Sequence, residues 1–278
     1  MKNLGFLGCR KSPYDGRDYL VSTLVEDVIK NLPTKCDITD KMTPVQDQGQ
    51  EGSCVGFSGV AIKEYQEQID YGKFIRLSER FLYERSKDIS GHNEGTTLKA
   101  CAQVLVKQGV CEQRFWKYEA QHIGEPEEGA DENASKYKIE PAYVRITNEA
   151  ELKASLVKYG AIHLGVAVCN TWKRQQNGHI PDFNWFENLL FYFGIGILGG
   201  HAITLVGYDD EKQEYKFKNS WSTVWGDEGY GYITYTHMKK TLLDALCYID
   251  IDDPDDWKEM PIKRVCNLTR KERKHAWV

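Results

Sequence analysis

From Val55 to Ile62 the chain runs Val-Gly-Phe-Ser-Gly-Val-Ala-Ile, eight residues without a charge, inside a stretch from Ser53 to about Asp70 that reads as a helix. A helix that is apolar on every side cannot lie on a surface; it belongs in the middle of a protein with other elements packed around it. The rest of the fold has to be built around this segment. The chain can do so: with 278 residues, 41% of them hydrophobic, it can bury the core of one large domain or of two small lobes. Aromatic residues make up 12%, including seven Trp, which excludes a largely disordered chain. A net charge of -5 argues against nucleic acid as the main partner.

The elements around this helix follow from local signals. Residues 1–31 read as a polar extension with a turn at Pro13-Tyr14-Asp15-Gly16, and fold elements begin near Leu32-Pro33. Ser78 reads as an N-cap, with Leu77 and Leu82 as a hydrophobic staple, for a short helix through Arg85. Leu98, Cys101, Ala102 and Leu105 share one helical face, closed by Gly109. The acidic stretch Glu125 to Lys138 reads as a solvated loop linking two lobes. Asn148 then caps a helix, with Glu151 at the capping-box position and Gly160 at its end. Strand-like runs follow at Ala161 to Val168, Ala202 to Val206, Tyr215 to Lys218 and Tyr230 to Tyr235.

The expected class is α+β, with a helical lobe over 32–140, a β-rich antiparallel lobe over 141–252 and a charged tail over 253–278, acidic and then basic. The longest apolar run, Leu189 to Leu198, holds Gly194 and Gly196. It is far short of the ~20 residues that span a bilayer. It reads as buried core of the β-rich lobe, with an exposed contact patch as the alternative.

Cys54 opens the central helix, just after Gly49 and Gly52, which allow a tight loop, and Ser53, which reads as its cap. Unpaired N–H groups and the helix dipole favour negative charge there, which is how a thiol becomes a thiolate near neutral pH. Taken alone, Cys54 is more simply a small buried hydrophobe. The polar turn Asp209 to Gln213 joins two strands into a hairpin. Setting Ile203 opposite Phe217 and Leu205 opposite Tyr215 puts His201 directly across from Asn219. A one-residue slip would turn the apolar set outward, so burial protects this register. The Asn219 amide can then orient one ring nitrogen of His201 and leave the other for a thiol. Trp221 points to the same face and would shield that bond from water. A lone His201 would more simply be a satisfied core histidine.

Together, Gln-Gly-x-x-Gly-Ser-Cys at 48–54, Gly-His-Ala at 200–202 and Lys-Asn-Ser-Trp…Trp-Gly…Gly-Tyr at 218–230 resemble the signature blocks of papain-family cysteine peptidases. His201 lies 147 residues after Cys54, where the family places it about 130–150 downstream. The likeness runs from about Leu32 to Asp250, and its block at 77–118 is similar to bacterial and phage-type members. It implies a two-lobe fold with the active site in the cleft between the lobes. Cys54 would be the nucleophile, His201 the base and general acid, Asn219 the orienter, Gln48 the side-chain oxyanion donor and Trp221 the cover. Gly95 is similar to the glycine that pairs its backbone with an extended substrate. In papain the thiolate–imidazolium pair brings the thiol pKa to about 3–4.

The resemblance implies a peptide or protein substrate and no metal or cofactor. Acyl transfer to an amine, or a non-catalytic binding or virion-associated scaffold, remain alternatives. Where the family motif reads Cys-Gly-Ser-Cys-Trp, this chain has Glu51 for the first Cys and Val55 for the Trp, so a common disulfide is lost. Residues 1–31 are too short for the family's usual helical propeptide; they serve either as simple packing or as a smaller version of it. Residues Asn170 to Leu198 read as an insertion just before His201, either an enlarged core of the β-rich lobe or a segment that shapes the substrate cleft. With no C-x-x-C pair, an odd number of thiols beside Cys54 and no signal-peptide pattern, the expected location is cytoplasmic or another reducing compartment, with export or virion association left open.

Overall fold

The uncharged segment is the first half of an 18-residue helix, Cys54–Tyr71, and its residues 54–67 are all buried. The computed structural model describes residues 7–250 and 262–268. Two glycines explain how neighbours come so close to this helix. A side chain at Gly56 would begin 2.9 Å from the Glu79 carbonyl oxygen, and one at Gly59 would begin 2.5 Å from the Cys101 sulfur. The helices Glu79–Ser90 and Leu98–Lys107 therefore pack directly on the central helix. The charges in its second half are paired: Lys63 meets Glu67 at 2.8 Å and Asp250 at 2.6 Å.

Against the other side of the helix lies a mostly antiparallel sheet. Its middle strands run in the order Pro141–Arg145, Leu242–Asp250, Ile162–Cys169, Ile197–Asp209, Glu214–Lys218 and Tyr230–Thr234. All eight residues of Ile162–Cys169 are buried. Helices packed on a β-rich sheet match the α+β expectation.

Several local expectations are corrected. Ser78 does cap, accepting from the Phe81 N–H, but its helix runs on to Ser90. Ser53 precedes the central helix without capping it, because its hydroxyl pairs with the Tyr118 hydroxyl at 2.7 Å. The acidic stretch 125–138 is not all loop: Ala130–Ala134 is a short helix, and its Ala130 and Ala134 are buried. The run Leu189 to Leu198 is not core. It belongs to the helix Trp185–Tyr192 and the strand start after it, and Trp185 (78%), Tyr192 (83%) and Phe193 (66%) stand exposed. Composition could not tell buried from bare here, since both are equally apolar.

The extension is also more than polar. Tyr19–Leu20 joins the sheet edge beside Arg145, and Leu20, Val21, Leu24 and Val25 are buried. Part of the charged tail packs as well: Lys263–Arg264 pairs with Tyr19–Leu20, and Val265 is buried. The basic residues Arg270, Lys271, Arg273 and Lys274, and the N-terminal Met1 to Phe6, lie outside the described residues. Among the described residues, no helix is long and apolar enough to cross a membrane.

Among the described residues, three histidines are buried. Burial pushes His163 down to about 3, and His201 and His237 to about 4, from 6.5. Between pH 6.5 and 4 the unfolded chain therefore binds more protons, so their stabilisation is complete above 6.5 and lost as pH falls through that window. Glu79 acts oppositely: burial, outweighing Arg76, raises it to about 7, so it costs stability as pH rises from 4.5. Burial raises Glu151 in the same sense as Glu79; each group is worth roughly 1.4 kcal/mol per pH unit at full slope, and three histidines outweigh two carboxylates. The urea midpoint should be lower at pH 5 than at pH 7; an equal or higher midpoint at pH 5 would contradict this account.

Candidate active site

Cys54 stands at the first turn of the central helix and is fully buried. Burial pushes its thiol up, while the backbone N–H groups of Ala202, Gly8, Val55 and Cys54 itself pull it down. His201 is also fully buried, on the strand Ile197–Asp209. Burial lowers it to about 4, and the hydrogen bond to Asn219 opposes this. Burial thus disfavours the charged form of both groups.

His201 Nε2 lies 2.8 Å from Asn219 Oδ1. The other ring nitrogen, Nδ1, is buried without a partner among the described residues. Trp221 stacks on the imidazole, ring centres 4.4 Å apart and planes 27° apart. The expected contact is present, but the expected register is not. Leu205 pairs with Phe217 and Thr204 with Lys218, and a bulge follows before Gly207. The ladder is thus shifted by two residues from the sequence reading, and Asn219 reaches His201 from beyond its end. An even shift keeps every side chain on its face, so burial could exclude a one-residue slip but not this one.

Gln48 is fully buried and fixed at both ends of its amide. Its Nε2 donates to the Glu51 carbonyl at 2.7 Å, and its Oε1 accepts from the Ser220 hydroxyl at 2.6 Å. Glu51, where the family motif has Cys, reaches Arg80 at 2.6 and 2.8 Å and accepts from the Gln121 N–H at 2.9 Å. All eight cysteines are free. The Glu51–Arg80 ion pair therefore ties down the loop before Cys54.

Sequence reasoning missed two contributions. Trp172, in the expected insertion, is buried with its ring edge-on to His201 at 6.1 Å and to Trp221 at 5.8 Å. Only the local richness in aromatics hinted at it.

The second contribution is the segment 7–10, which lies across the site. The Gly8 carbonyl accepts from the Thr96 N–H at 2.9 Å, and Cys9–Arg10 pairs in parallel with Thr96–Thr97. Gly95 (φ +69) faces this segment, and a side chain there would begin 2.3 Å from the Gly8 oxygen. Its own N–H donates to the Tyr83 hydroxyl at 3.0 Å, so the arm is paired by Thr96 and not by Gly95. A side chain at Gly200 would begin 2.0 Å from the Cys9 oxygen. The arm thus lies on glycines and closes the cleft over Cys54.

A family model described as papain family cysteine protease matches residues 32–249. Cathepsin K of Gallus gallus is 29% identical over 78% of this chain and 63% of its own length. A cathepsin L-like peptidase of Aedes aegypti is 30% identical over 75% of this chain and 60% of its own length. The chain thus spans about three-fifths of these relatives. Among solved structures, Xylellain, a cysteine protease from Xylella fastidiosa, is similar with a TM-score of 0.78 and 26% identity, covering 89% of this chain and 97% of that one.

Proposed function

Since the chain belongs to the papain family of cysteine proteases, we propose that it hydrolyses peptide bonds through a Cys54–His201–Asn219 triad and a thioester intermediate. The observation that carries this reading is the buried His201–Asn219 hydrogen bond of 2.8 Å under the Trp221 ring. It fixes the imidazole and leaves Nδ1 to take the Cys54 proton.

The Cys54 sulfur attacks the carbonyl carbon, and the oxyanion is received by the Cys54 N–H and Gln48 Nε2. His201 then protonates the leaving amine as the C–N bond breaks. Water, deprotonated by His201, attacks the thioester, the C–S bond breaks, and the proton returns to the thiol. The Gln48 amide, held by Glu51 and Ser220, needs no reorganisation when charge develops. Gln48→Ala should lower kcat by roughly 10²–10³ with little change in KM; an unchanged kcat in steady-state assays would remove Gln48 from this role.

In a Gly8→Ala variant, where the added side chain would begin 1.8 Å from the Gly52 carbonyl oxygen and lift the arm, a peptidyl epoxide should modify Cys54 ahead of the other seven thiols near pH 6, and a peptide library or casein should be cut. If Cys54 is not preferred and nothing is cut, the reading fails. Transfer to an amine would use the same thioester, and products formed with an added amine acceptor separate the two. The free state of all eight thiols supports a cytoplasmic or other reducing setting.

A further inference from the structure

The bare helix Trp185–Tyr192 is fixed in place, although its outer face is uncovered among the described residues. Asn184 Oδ1 accepts from the Phe186 and Glu187 N–H groups at 3.0 and 2.9 Å, and the Asn184 N–H donates to Glu187 Oε2 at 3.0 Å. This capping box sets the first turn. On the inner face Phe191 packs on Phe183, ring centres 5.2 Å apart, and Phe183 packs on the buried His237 at 4.5 Å. Trp185, Phe186, Leu189, Tyr192 and Phe193 share the opposite face, a stripe about 120° wide at 3.6 residues per turn. All five are exposed, and Ile195, Ile197 and Leu198 extend the patch. From Asn188 to Gly200 the chain carries no charge. Single exposed apolar side chains are ordinary, but a contiguous patch of this kind marks an interaction surface.

The flanks of this helix are basic. Arg174 holds Glu187 at 2.7 and 2.8 Å. Lys240 donates to Asn188 Oδ1 and lies 5.6 Å from the Phe183 ring centre. Their chain neighbours Lys173 and Lys239 are exposed. Together the segments 170–198 and 235–241 hold these four cations against two carboxylates, Asp182 and Glu187. Charge and composition select the occupant. A second copy would meet the same patch across a two-fold axis and set four cations against four. An anionic lipid surface instead attracts the cations, takes up the Leu, Ile and Phe side chains, and gives Trp and Tyr rings the interface that they prefer.

We infer that the face from Trp185 to Leu198 docks the chain on the anionic lipid surface of a membrane. At eight residues the helix is about 12 Å long, so it lies in the plane of the interface and does not cross the bilayer. Trp185, Tyr192 and Phe193 enter the headgroup region, and Lys173, Arg174, Lys239 and Lys240 meet the acidic headgroups. Docking does not depend on the peptidase reading above, since no residue of this face belongs to the triad.

The test is flotation of the full chain with phosphatidylcholine vesicles, with and without phosphatidylserine. The wild type should float with the serine-containing vesicles, far less with phosphatidylcholine alone, and less as salt rises. Replacing Trp185, Tyr192 and Phe193 together by Ser should weaken binding by roughly tenfold or more. Lys173→Glu combined with Lys239→Glu should weaken it roughly 25-fold or more on anionic vesicles and leave binding to phosphatidylcholine unchanged. All five side chains are exposed, so thermal melting should not move; if the Ser variant does not fold, the charge variant decides alone. Absence of wild-type binding to anionic vesicles would overturn the inference, and so would binding that neither variant weakens. Self-association in lipid-free sedimentation that the Ser variant abolishes, with no vesicle binding, would overturn it in favour of a second copy.

Discussion

Replacing Cys54 by alanine will reduce peptide cleavage by roughly 10⁵–10⁶ in kcat, and replacing His201 will cost nearly as much. Both residues serve one bond-making step, so either loss removes it whole, and the double variant should be little worse than the single ones. What remains should come from Gln48 and the backbone donors around residue 54. Asn219→Ala should cost less, because it removes the group that orients the imidazole rather than the imidazole itself. The effect should appear in kcat and not in thermal stability for Cys54→Ala, since the change removes one sulfur from a first turn that keeps its backbone bonds (Gly56 N–H to the Ser53 carbonyl at 2.9 Å). A Cys54→Ala protein that keeps more than about one per cent of the activity would exclude the thioester route.

The parts of this site legible in the sequence are those whose signal is local. The charge-free run after Gly52 and Ser53 marks the buried helix and places Cys54 on its first turn. The apolar alternation around His201 and Phe217 marks a hairpin with its inner face correct. The parts that were not legible depend on long-range pairing. The two-residue shift of the hairpin preserves the alternation, so nothing in the pattern selects it, and the bulge before Gly207 leaves no mark in that alternation either. The bare aromatic helix Trp185–Tyr192 has the composition of a core helix, and only its neighbours in space reveal that nothing in the described structure covers its outer face. The arm is the sharpest case. Leu7-Gly8-Cys9-Arg10 carries no periodicity, and its place in the cleft is set by glycines at 52, 95 and 200 that are far away in sequence.

That placement makes Gly8 the residue on which access to Cys54 turns. A side chain at position 8 would begin 1.8 Å from the Gly52 carbonyl oxygen. Real atoms cannot approach so closely, and the obstacle is backbone in the loop that Glu51 and Arg80 tie down. Gly8→Ala should therefore lift the arm while leaving its anchor at Leu20 to Val25 in the core. In the wild type, burial holds the Cys54 thiol up and His201 down at about 4. Little thiolate then forms at neutral pH, and alkylation should climb only as the solution becomes alkaline. Once the arm lifts, water and substrate reach the pair, the desolvation that opposes charge is relieved, and the thiolate–imidazolium form becomes accessible. Iodoacetamide should then modify Cys54 in Gly8→Ala on the order of 10–100 times faster near pH 6, with the rate levelling at lower pH than in the wild type. The gain measures how rarely the closed cleft opens by itself, because apparent reactivity scales with the open fraction. Peptide cleavage should rise by the same factor in kcat/KM. Equal alkylation rates in the two proteins would mean that the arm does not hold the cleft shut in solution.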